Sequence, residues 1–139
     1  MRVVTLRPDA DTAQADFTPS AGSVHYALVA EAPDDDGDAT YVESGTVGHQ
    51  DLYGYQDLTA TQAAILALQL ATVARKDDAG SRSLRAVLTS GATTANGATR
   101  VLGTTYAVYD DRFEVDPATG TAWTKPGVDA VEAGVEVVA

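Results

Sequence analysis

The sequence predicts an all-β protein, an antiparallel β-sandwich with at most one short helix. Two observations carry this expectation. Short runs of Val, Thr, Tyr and Leu recur along the chain, about eight in all, and clusters of Gly, Pro and Asp divide them at regular intervals. Only Val128 to Ala133 reads as a single helical turn, so the remaining apolar surface has to be buried by sheets.

The elements follow in order. Met1 to Leu6 alternates weakly and stops at Arg7-Pro8-Asp9, which predicts a first strand followed by a polar loop over 9–23. Val24 to Glu31 places Val24, Tyr26, Leu28 and Ala30 on one face at period two, a strand closed by Ala32-Pro33. Asp34-Asp35-Asp36-Gly37-Asp38 is a turn, and Thr40-Tyr41-Val42 resumes extended structure. From Gly45 to Thr61 no period is visible, so the segment reads as a long loop anchored by Leu52, Tyr53, Tyr55 and Leu58.

Ile65 to Ala74 has helix-favouring Ala and Leu, but Leu66, Leu68, Leu70 and Thr72 also line one face of a strand. The turn residues Lys76 to Gly80 and the alternation of Leu84, Ala86 and Leu88 decide for two strands paired as a hairpin. Ser90-Gly91 and Asn96-Gly97 bracket a further turn. Strands follow in Thr99 to Tyr109, around Phe113 and Val115, and in Gly134 to Val138. The expected core is Tyr26, Leu28, Leu66, Leu68, Leu70, Leu84, Leu88, Val101, Phe113, Trp123 and Val137.

Length and composition narrow the function. A chain of 139 residues, 45% hydrophobic and 21% charged, suits one domain over 1–139 with its own core. The formal net charge of −11 repels phosphate backbones, which argues against a nucleic-acid partner. There is no cysteine, so disulfides, thiolate ligands and a cysteine nucleophile are excluded. The longest apolar stretch, Ala63 to Ala74, is too short to span a bilayer, and the N-terminal residues lack a signal-peptide core, so no membrane association is expected.

Leu6-Arg7-Pro8, Phe17-Thr18-Pro19-Ser20, His25 to Val29, Asp38 to Val42, Arg75 to Gly80, Pro117 to Thr124 and Gly134-Val135-Glu136 together resemble a small-protein family encoded among tailed-bacteriophage structural genes. The resemblance implies a virion component of jelly-roll or galactose-binding-like architecture. It implies either a capsid cement or decoration protein on the outer shell, contacting the major capsid protein and copies of itself, or a tail or fibre module that binds a host glycan. Asp36-Gly37-Asp38-Ala39-Thr40-Tyr41 is similar to the acidic turn of galactose-binding-like domains, and Asp57-Leu58 to their Asp-Leu-Gly, with Thr59 in place of the glycine.

Candidate sites are few. Asp34, Asp36 and Asp38 offer hard oxygen ligands to calcium, the sole cofactor the sequence suggests, although a hydrogen-bonded acidic turn is the favoured reading. An EF-hand is excluded, because no glycine follows Asp38 and Gly45 stands where the loop needs glutamate. His25 and His49 show no metal-ligand spacing, and no serine sits in a Gly-x-Ser-x-Gly elbow. Glu114 and Asp116 share a strand face, but paired carboxylates work only in a cleft. No catalytic residue is therefore expected. Tyr53, Tyr55 and His49, in the long loop, are the candidates for partner contact, whereas Trp123 is expected in the core.

Overall fold

A computed structural model describes residues 1–31 and 36–139. The fold is all-β and antiparallel, the class the sequence predicts. Its main sheet contains six strands: β1 (Pro8–Ala15), β4 (Gln50–Tyr55), β6 (Ser83–Ser90), β7 (Thr93–Asn96), β8 (Arg100–Val101) and β10 (Glu132–Val137). They run in the order β1-β4-β10-β6-β7, and β8 also pairs with β6. A ribbon of β5 (Leu68–Ala74) and β9 (Ala107–Phe113) forms the second layer, and β2 (Thr18–Pro19) pairs with β3 (Val42–Glu43) in a minor ribbon. Among the described residues the only helices are α1 (Lys125–Asp129) and a 3₁₀ turn at Tyr26–Leu28.

The core lies between the layers. Ala86 and Leu88 of β6 and Ala133 of β10 pack with Phe113, Trp123, Val128, Val131 and Leu58, while Leu68 and Leu70 close in from the ribbon. Alternation along β6 explains its contribution, since Leu84, Ala86 and Leu88 point to one face at period two. Trp123 is anchored as well as buried: its indole Nε1 donates to the Phe113 carbonyl at 2.9 Å. The turn before it is held by Asp116, whose backbone and carboxylate accept from Gly120 N and Ala118 N. The helical turn covers Lys125–Asp129 and not Val128 to Ala133, because Thr124 caps Gly127 N and Pro126 favours the first turn, while Glu132 and Ala133 belong to β10.

Several local expectations are corrected. Met1 to Leu6 is not a strand, and the first strand instead lies in the segment read as a loop. Its Pro8 opens an edge strand whose missing N–H costs no ladder bond, and its exposed face supplies no hydrophobic alternation. Val24 to Glu31 is not a strand either. The Asp11 carboxylate accepts from His25 N at 3.0 Å and Tyr26 N at 2.6 Å, winding the chain into the 3₁₀ turn despite its period-two pattern.

The 45–61 segment is not a long loop at a domain edge, because it contains β4, which lies between β1 and β10. Asp51 and Gly54 disguise the strand in sequence. β5 is a strand, but it pairs with β9 over seven residues and not with β6; the Lys76 to Gly80 turn carries the chain between layers. The turn expected between Ser90-Gly91 and Asn96-Gly97 is shorter, since β6 and β7 form a hairpin that turns at Gly91 with φ +56°. Of the expected core, Leu66 and Val101 are 71% and 70% exposed. Leu66 precedes β5 with no layer over it, and Val101 sits on the two-residue edge strand β8. Tyr26 and Leu28 are half-buried.

Candidate functional site

The strongest polar cluster in the fold joins β1, the 3₁₀ turn and β4. Asp51 is fully buried, and His25 Nδ1 lies 2.9 Å from its Oδ2 and 3.1 Å from its Oδ1. A carboxylate only accepts, so Nδ1 carries the hydrogen and donates. The Tyr53 hydroxyl donates to Oδ2 at 2.6 Å, and the Phe17 amide donates to Oδ1 at 3.3 Å. Three donors therefore converge on one buried carboxylate, which satisfies a charge that burial alone would make prohibitive. Burial and the Asp51 bond hold the Tyr53 phenol far above its ordinary pKa, and it stays protonated.

This His–Asp pair has the contact found in catalytic relays, but its setting differs. An open cleft of about 1800 Å³ runs past residues 1–8, 40–46 and 64–78, and neither His25 nor Asp51 lines it. Tyr53 and Tyr55 are among its lining residues, Tyr53 almost wholly buried. The Tyr55 hydroxyl donates to the Ala133 carbonyl at 3.4 Å, and burial raises its pKa as well.

The sequence-predicted site residues fall in separate places. Asp34 lies outside the described residues. Asp36 accepts from the Thr40 amide at 3.0 Å and the Thr40 hydroxyl at 2.8 Å, a capped acidic turn. Asp38 pairs with Arg75 at 2.9 Å and accepts from the Tyr106 hydroxyl at 2.8 Å. The tyrosine bond, then the guanidinium, hold the Asp38 carboxyl below its usual range. Arg75 also stacks over the Tyr106 ring at 5.2 Å, tying the turn to the ends of the ribbon. These carboxylates turn toward donors, and among the described residues no group of three or more ligand-type side chains converges for a metal.

Tyr53 is 6% exposed, a core member rather than a loop residue presented to a partner, because β4 buries it beside Asp51. Tyr55 is half-buried on the same face. His49 is half-buried just before β4, its Nδ1 bonded to Ser44 Oγ at 2.9 Å. Glu114 and Asp116 do not form a pair: Glu114 is exposed and bridged to Arg112, whereas Asp116 is buried in its turn. Asp51 and Asp11 escaped the sequence reading. The available signal was the spacing Asp51, Tyr53, Tyr55, which puts three side chains on one strand face.

No protein family, no curated protein and no solved structure matches the chain. Fold and site define a class nonetheless: an antiparallel β-sandwich whose buried polar groups lock one strand to its neighbours, and whose outer layer leaves apolar side chains open to solvent.

Proposed function

We propose that this protein is a non-enzymatic structural component of a tailed-phage virion, a capsid cement or decoration protein on the outer shell that contacts the major capsid protein and copies of itself. The observation that carries the reading is the apolar surface of the ribbon and its flanks, where Leu66, Val73, Val108 and Val115 are exposed, with Val101 exposed on the edge strand β8 of the main sheet. Side chains of this kind gather at protein–protein interfaces. The virion setting rests on the sequence resemblance, and the net charge of −11 favours the outside of a shell over its DNA-facing interior. Cement proteins act by mass action: contacts present only in the expanded shell stabilise that state against internal pressure.

A specific observation favours a second reading. Tyr41, Tyr55 and Tyr106, each half-buried, line the open cleft, and aromatic rings stack on apolar sugar faces, as a tail module that binds a host glycan would require. Stoichiometry in purified particles separates the two. A cement protein is present in numbers comparable with the major capsid protein and stays with tailless heads until they are destabilised. A few copies that fractionate with tails refute it and support the tail module. Release of new reducing ends from host surface polysaccharide would overturn both non-enzymatic readings.

A further inference from the structure

Free sheet edges are liabilities, and among the described residues all but one are guarded. β1 opens with Pro8, carries Asp9 and Asp11, and is broken by two register shifts against β4. At the other side of the main sheet, β7 and β8 are four and two residues long. β9 carries Asp110, Asp111 and Arg112, and Arg100 Nη2 donates to its Asp110 carbonyl at 2.9 Å. Proline, charge, bulges and shortness are the usual devices against edge pairing.

β5 has none of them. Its seven residues, Leu68-Gln69-Leu70-Ala71-Thr72-Val73-Ala74, include no charge, proline or glycine, and their register with β9 is unbroken. Among the described residues no strand or side chain bonds to the side of β5 that faces away from β9. Alternate backbone N–H and C=O groups there form an open ladder. A lone two-stranded ribbon is also marginal in water and gains from further strands.

The chain also exposes more surface than its mass requires. A chain of 14.4 kDa at ordinary compactness exposes about 6,800 Å². This one exposes 7832 Å². The excess of about 1,000 Å² is shared with the exposed N-terminal residues, Met1 and Val3 among them, and β5 contributes to it through Gln69, Ala71 and Val73.

We infer that β5 pairs with β5 of a second copy, antiparallel about a two-fold axis near Ala71, so that the two ribbons form one four-stranded sheet. The segment is self-complementary. Across the axis Ala71 meets Ala71, Leu70 meets Thr72, Gln69 meets Val73 and Leu68 meets Ala74, and no like charges collide. The half-buried Leu68 and Leu70 gain a neighbouring strand. This pairing stands apart from the virion reading and holds whatever the chain's setting.

Sedimentation of the full chain at micromolar concentration tests it, with amide hydrogen exchange as a second readout. The expected result is a species of twice the chain mass with the β5 amides protected. Ala71→Lys, at an exposed position, sets two ammonium groups against one another. It is expected to weaken the dimer at least about tenfold, with unchanged circular dichroism and loss of β5 protection. Should that variant fail to fold, Gln69→Lys, also exposed, replaces it with the same expectation. A monomeric wild type, a trimer, or a dimer that both variants leave intact would overturn the pairing. So would a dimer lost on removal of residues 1–5 but insensitive to the lysines, which would assign the interface to the exposed N-terminal residues.

Discussion

Replacing Asp51 by alanine should be the most damaging single polar change in this protein. Its carboxylate is fully buried and accepts from His25 Nδ1, the Tyr53 hydroxyl and the Phe17 amide. Truncation leaves three donors facing an apolar gap, each worth about 1–3 kcal/mol when buried and unmet. Partial relaxation and access of water to the loop amide reduce the total, and about 3–5 kcal/mol is the figure for breaking a buried pair by removing one member. That is a large part of a domain's stability of about 5–15 kcal/mol. Tyr53→Phe is milder, since it removes one charge-assisted bond and leaves no orphaned donor: about 1.5–3 kcal/mol. Urea unfolding followed by the fluorescence of the lone tryptophan, Trp123, measures both changes. Coupling between His25 and Asp51 is read from the double-mutant cycle His25→Ala with Asp51→Ala. A loss below about 1 kcal/mol for Asp51→Ala, or additivity within about 0.5 kcal/mol, would refute the reasoning; if Asp51→Ala does not fold, a neutral Tyr53→Phe does the same.

Gly134→Ala should destabilise by about 3 kcal/mol or more, because its Cβ would fall 1.9 Å from the Asp51 carbonyl oxygen and force β10 from β4; a wild-type melting temperature would contradict this close approach. Asp38 is held below the usual carboxylate range by Tyr106 and Arg75, and Asp129 by Lys125 and the Leu58 amide. Stability from both is present above the unfolded carboxylate value near 4 and is lost as pH falls through the lower folded values. Asp129→Asn should therefore flatten the acid limb of a melting-temperature profile, and an unchanged slope would argue against the Lys125 and Leu58 contacts. Tyr53 and Tyr55 shift upward, so their neutral forms favour the fold and stability should decline as pH rises beyond about 10, with Tyr53→Phe reducing the decline. Millimolar calcium should leave the melting temperature unchanged, since Asp38 is engaged by Arg75 and Tyr106; a saturable rise would restore the acidic turn as a cation site.

What the residues determined by themselves was local. The strand character of Ser83–Ser90, the turn at Asp116-Pro117, the burial of Trp123 behind it and the helical turn that follows all arise from neighbours a few places apart in the chain. Patterns of that range are visible without a structure. The tertiary structure decided the rest. Asp11 reaches fourteen residues ahead to wind His25 and Tyr26 into a 3₁₀ turn that their alternation does not suggest. Asp51 is admitted to a buried strand because His25, 26 residues earlier, and Phe17, 34 residues earlier, donate to it. Strand pairing followed the same rule, since β5 had two apolar candidates in β6 and β9 and took the more distant. A buried charge costs too much to stand alone, and its partners come from wherever the fold brings donors together; sequence spacing has no access to that.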